Sequence, residues 1–274
     1  MTITILLCAL LALSLAMALA WQVQRATGSS GWIDTIWSAA VGLVGIGVAL
    51  APGAEPGRGR LAAALVALWS ARLALHIASR TRGAPDDPRY ADLARQWGAD
   101  APRRMFWFLQ SQAMAGFVLA VAVRLAAVNP APFPRLADAL AVAILLVAAG
   151  GEALADAQLQ RFRRAHRGEK LICEDGLWGW SRHPNYFFEW LGWFAYPILA
   201  ISGENPWGWL ALGAPLLMYG LLVHVSGIPP LEAQMAASRG DAFRDLQRRV
   251  NAFFPSPPRP RAPSSRPSDL GSQS

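Results

Sequence analysis

A chain of 274 residues could hold one or two soluble domains, but 54% of its residues are hydrophobic and only 16% are charged. The charges gather between apolar runs of about 20 residues, the length that crosses the hydrocarbon of a bilayer as a helix, which excludes an ordinary soluble domain. The net charge of +7 accompanies no nucleic-acid motif, and the two cysteines, Cys8 and Cys173, can frame neither a zinc site nor a disulfide, so neither a nucleic-acid partner nor a metal is expected.

The first apolar run, Ile3 to Ala20, lacks the basic residues that open a signal peptide and is expected to persist as a membrane helix. The second, Trp32 to Ala51, starts at Asp34, which serves either as a helix cap or as a site residue. The third, Leu61 to Ser79, brings Arg72, His76 and Arg80 onto one helical face at i, i+4 and i+8. A long basic loop follows, from Arg80 through Asp86-Asp87-Pro88-Arg89-Tyr90 to Trp97. Arg124 lies at the far end of the fourth run, Met105 to Val128, and is expected to snorkel to the interface.

The fifth run, Leu136 to Ala157, carries Glu152 and Asp156 one helical turn apart. Carboxyl groups at that depth are costly, which favours a functional cavity, and this acidic stripe can face the basic stripe of the third run. A second basic loop, Arg161 to Asn185, leads into the sixth run, Tyr186 to Ile201. At that junction stands Ser181-Arg182-His183-Pro184-Asn185-Tyr186, with Glu189 one turn below Asn185. Pro184 suits a helix start and Asn185 can cap it, so free N–H groups beside Arg182 and His183 suit an anion such as phosphate. The seventh run, Trp207 to Gly227, contains His224, expected to be a packing residue. Residues 229–253 suit an amphipathic helix outside the membrane, and the Pro- and Ser-rich stretch 255–274 is expected to be disordered.

These runs predict an all-α membrane bundle of about seven helices in a single domain, 1–254, with its signature region at about 150–254. Arginines crowd alternate connections, which places the N-terminus outside and the C-terminus in the cytosol by the positive-inside pattern. The site would then open to the cytosol, and a bacterial inner membrane is the expected location. Twelve tryptophans, several at span ends, fit interfacial belts in contact with membrane lipids.

The stretch Gly-Leu-Trp-x-x-Ser-Arg-His-Pro-Asn-Tyr-x-x-Glu-Trp at 176–190 resembles the signature of the bacterial membrane family DUF1295, which is related to steroid 5-alpha-reductases and sterol reductases. Asp-Asp-Pro-Arg-Tyr at 86–90 with Trp97, Glu152-x-x-x-Asp156-x-Gln158 with Phe162, Val225-Ser-Gly-Ile-Pro-x-Leu-Glu232, and 251–255 extend the likeness over most of the chain. The resemblance implies an oxidoreductase that transfers hydride from NADPH to an activated carbon–carbon double bond of a lipophilic substrate. It implies Asp156, Arg163, Arg182, His183, Asn185, Tyr186 and Glu189 around the cofactor. Tyr186, Glu189 and Glu152 are the candidate proton donors, with Asp34 an outside one. The Glu and Tyr that meet the substrate ketone on early helices of the 5-alpha-reductases have no aligned counterpart here. Two alternatives stay open. One is a methyltransferase of the isoprenylcysteine or phospholipid type, using S-adenosylmethionine, because Arg-His-Pro-x-Tyr and a downstream glutamate also occur there. The other is a non-enzymatic lipid-binding membrane protein.

Overall fold

The computed structural model describes residues 2–83 and 86–260. All named elements among them are helical: α1 (Thr2–Thr27), α2 (Gly31–Leu50), α3 (Pro56–Thr81), α4 (Pro88–Trp97), α5 (Ala101–Ala127), α6 (Leu136–Ala165), α7 (Pro184–Gly192), α8 (Ala195–Ala200), α9 (Gly213–Tyr219), α10 (Ile228–Arg239) and α11 (Asp241–Arg249). Among the described residues, six helical stretches are long and apolar enough to cross a membrane. The predicted sixth run supplies none of them. It is the pair α7–α8, interrupted at Trp193 and Phe194 just before Pro197, which lacks the N–H that would continue an unbroken helix. The seventh run is also composite, passing from a 3-10 stretch, Pro206–Leu212, through α9 into a π-helical turn, Gly220–Val225.

Helices α1, α2, α3 and α5 form the tight part of the core, and α6, α7 and α8 pack on its other side. Small residues set the closest approach: a Cβ at Gly42 of α2 would fall 2.0 Å from the Ser70 hydroxyl of α3. The first expected loop contains a helix. The Asp87 carboxylate accepts from the Arg89 N–H and caps α4, where Pro88 starts the first turn and Tyr90 and Trp97 share a face. The single amphipathic helix expected over 229–253 is two, α10 and α11, because Gly240 turns the chain at φ +55°. The start of the expected disordered tail is tied down: the Ser256 N–H donates to the Trp180 carbonyl and that of Arg259 to the Arg249 carbonyl. The rest of the tail, 261–274, lies outside the described residues.

At the end of the bundle away from the basic loops, arginines turn inward. Arg124 does not snorkel; it is buried, and donates to the carbonyls of Val48, Ala51 and Pro52 at 2.6–3.0 Å, the unpaired C-terminal end of α2. Arg58 is wholly buried. Its Nε lies 3.0 Å from Asp138 Oδ1, and its remaining nitrogens donate to the carbonyls of Asn129, Ala131 and Pro132. Asp138 in turn accepts the Arg135 backbone N–H at the start of α6. Removing one partner of such a pair strands the other charge in an apolar interior. Arg58→Met should therefore cost about 3–5 kcal/mol of stability, and adding Asp138→Leu should recover much of the loss; denaturant unfolding of the detergent-solubilised protein measures both.

Candidate functional site

Three pieces of backbone geometry bring the signature to α6. Gly176, at φ +57°, lets the chain pass so close to Gln158 that a Cβ would meet its amide at 2.3 Å. The Leu177 N–H donates to Gln158 Oε1, and the Trp178 indole donates to the Ala155 carbonyl. The Ser181 hydroxyl then donates to the carbonyls of Ala252 and Phe253, and the Arg182 N–H to that of Asn251, so residues 251–256 strap this loop down. α7 starts directly beyond. His183 occupies the capping position, Pro184 the first turn, and no side chain caps the helix. Asn185 is thus inside the first turn, with its amide directed to Asp156 Oδ1 at 3.4 Å.

The expected meeting of the basic stripe of α3 with the acidic stripe of α6 is present, and Glu189 of α7 joins it. Arg72 Nη2 lies 2.5 Å from Glu152 Oε1 and 3.8 Å from Glu189 Oε2, while Arg72 Nη1 is 3.7 Å from Asp156 Oδ2. His76 Nε2 stands 3.5 Å from the same Asp156 oxygen. Trp69, one turn before Arg72, donates its indole N–H to both oxygens of Glu189 at 2.8 and 2.9 Å, and Trp193 donates to Oε1 at 3.1 Å. A small recess beside these groups is lined by Ala148, Ala149, Phe188 and Gly192 as well as the charged side chains. The neighbouring Tyr196 hydroxyl is buried with no partner among the described residues.

Arg182 and His183 are spoken for. Arg182 Nε lies 2.7 Å from Glu232 Oε1 of α10, and its Nη1 donates to the Gln247 and Val250 carbonyls at the end of α11. His183 Nε2 is 3.2 Å from Glu232 Oε1, and Gln247 donates to Oε2 at 2.9 Å. Both residues therefore hold the α10–α11 hairpin against the start of α7. Arg80, Arg163 and Arg239 make no ion pair among the described residues, and Arg163 lies in electrostatic range of Arg80, Arg239 and Asp156. The Nε of Arg239 is buried without a hydrogen-bond partner. Tyr186 stacks on His183, with ring centroids 5.6 Å apart.

A second polar group, which sequence reasoning missed apart from Asp34, sits at the start of α2. Asp34 accepts from Arg89 Nη2 and from the Tyr90 hydroxyl, each at 2.6 Å, and Gln112 donates to the same hydroxyl at 3.0 Å. Asp34 does not cap α2; Ser30 stands there. Outside the spans, burial pushes the Cys173 thiol up, so it is a poor nucleophile.

A family model described as "Protein of unknown function (DUF1295)" matches residues 20–250. No curated protein and no solved structure matches the chain.

The two indoles on Glu189 carry a direct test. Trp69→Phe keeps the ring and removes its donor from a buried carboxylate, a loss of about 1–3 kcal/mol in denaturant unfolding, whereas Trp107→Phe, on an exposed ring, should change little.

Proposed function

The chain belongs to the DUF1295 family, and we propose that it is a membrane reductase using NADPH to saturate an activated carbon–carbon double bond in a lipophilic substrate. The observation that carries this reading is a charge imbalance: the carboxyl groups of Glu152, Asp156 and Glu189 surround the single guanidinium of Arg72. A low-dielectric interior does not tolerate that many ionised carboxylates, and the simplest relief is a bound proton. Glu189 already accepts from two indoles, so its oxygens are committed. Glu152 meets Arg72 through Oε1, which leaves Oε2 to carry the proton, and it borders the small apolar recess.

NADPH, when bound, supplies a hydride. The residues suited to hold it are Arg80 and Arg163 for phosphate, with Asn185 and Tyr186 at the first turn of α7; the partnerless Nε of Arg239 and the Arg163 guanidinium, which makes no ion pair or hydrogen bond among the described residues, are what a phosphate would satisfy. Once hydride has reached one alkene carbon, the Glu152 carboxyl gives its proton to the adjacent carbon, and both additions together make the saturated product. Asp156 and His76, 3.5 Å apart, lie between Arg72 and the basic mouth and give the proton a way back to Glu152 from solvent. Arg182 and His183 act as positioning residues, through Glu232. On the positive-inside pattern this mouth faces the cytosol.

One feature favours the methyltransferase alternative, the engagement of Glu232 by both Arg182 and His183. Thermal melts of the detergent-solubilised chain with NADPH, NADH or S-adenosylmethionine separate the readings. NADPH should stabilise it, by about 2.7 kcal/mol when present at a hundredfold its dissociation constant, and Arg163→Gln or Asn185→Ala should abolish the shift. A shift with S-adenosylmethionine alone would sink the reductase, and no shift with any of the three would favour a lipid-binding protein. Glu152→Gln should keep the NADPH shift while slowing reduction of an enone steroid probe by about 10²–10⁴-fold.

A further inference from the structure

Beside the turn between α4 and α5 lies an open hollow of about 460 Å³ lined by Trp97, Asp100, Arg103, Arg104 and Trp107. Its cations are lightly committed. Arg103 makes no ion pair or side-chain hydrogen bond among the described residues, and Arg104 has only a 3.7 Å approach to Asp100, both side chains being more than half exposed. Asp100 precedes α5 without a side-chain capping bond, so the positive end of a long helix also faces this place.

The apolar part of the lining is equally unusual. Trp107 is 63% exposed at the first turns of a membrane-crossing helix, where indoles sit at the level of lipid headgroups. Trp97 packs edge-on against Phe108 and Trp107 against Phe106, so both rings are held in place. The end of α1 is tied to the start of α5: the Trp21 indole donates to the Pro102 carbonyl, and the Arg25 guanidinium stacks 4.7 Å from the Trp21 ring. A hollow with one unpaired guanidinium, a second held only by a long, exposed ion pair, and an exposed indole at headgroup depth matches a molecule with a phosphate at one end and hydrocarbon at the other. Arginine forks suit phosphate oxygens, and the volume suits a small headgroup.

We propose that this cavity binds the phosphodiester headgroup of an anionic glycerophospholipid, with Arg103 and Arg104 on the phosphate and Trp97 and Trp107 against the glycerol and upper acyl chains. Asp100 is placed to accept from a headgroup hydroxyl, which phosphatidylglycerol has and phosphatidylcholine lacks. The site is independent of the reductase reading, since it shares no residue with the carboxylate cluster.

The test is the melting temperature of the full chain in a neutral detergent, with phosphatidylglycerol, phosphatidylcholine or inorganic phosphate added at equal phosphate concentration. Phosphatidylglycerol alone should raise it by several degrees. Arg103→Gln with Arg104→Gln, or Trp107→Ala by itself, should remove that rise while leaving the lipid-free melt unchanged, and the control pair Arg161→Gln with Arg164→Gln should keep it. A phosphatidylglycerol rise that survives in both site variants overturns the proposal, as does an equal rise with phosphatidylcholine or no rise at all. A rise with inorganic phosphate alone would mean a soluble anion, not a lipid, is the ligand.

Discussion

Hydrocarbon offers an ionised group no water, so a charge can stay in a membrane interior only if another part of the protein answers it. In this chain almost every deep charge is answered by a different helix. Arg58 of α3 answers Asp138 of α6, Arg124 of α5 answers the end of α2, and Arg72 of α3 answers Glu152 of α6 and Glu189 of α7. Helices α3 and α6 share few other contacts. Two polar bridges, one at their N-terminal ends and one about midway along, therefore tie them directly to each other. Between those bridges the small residues Ala148, Ala149 and Gly192 leave the recess that borders Glu152.

The two ends of the bundle use the same residue type in opposite ways. At the end distant from the basic loops, Arg58, Arg124 and Arg135 each spend their donors on backbone carbonyls that a helix end or turn leaves open. At the basic end, Arg182 does likewise for α11, while Arg80, Arg103 and Arg163 keep their donors free. Counting arginines by connection thus understates the difference in available charge between the two faces. The inward ones are structural cement, and the outward ones are left to meet anions.

Much of this was legible in the sequence because apolar length and charge spacing are local properties. The spans needed only runs of hydrophobic residues, and the spacing of Arg72 and His76 against Glu152 and Asp156 announced two stripes that could meet. The indole donors to Glu189 were not legible. Trp69 lies one turn before Arg72, a weak signal on the same face, but Trp193 is recruited only because the chain between α7 and α8 turns there. The acid–phenol pair of Asp34 and Tyr90 was hidden for a related reason. Its members are 56 residues apart, and they meet because the turn that opens α4 carries Arg89 and Tyr90 back to the start of α2. Arg182 illustrates the opposite error. A cation next to a helix start looks available for phosphate, but its acceptors come from α10 and α11, at a range that local pattern reading does not reach.

The strap of residues 251–256 bears on how the molecule comes into being. Ser181 finds its acceptor 71 residues later in the chain, and Arg182 waits for the end of α11. During synthesis α1 to α8 can enter the bilayer while this loop still lacks the carbonyls that hold it. The mouth of the bundle is consequently the last part to take shape, closed by chain that follows every candidate span. A ribosome stalled before residue 250 would leave an inserted bundle whose entrance is unformed.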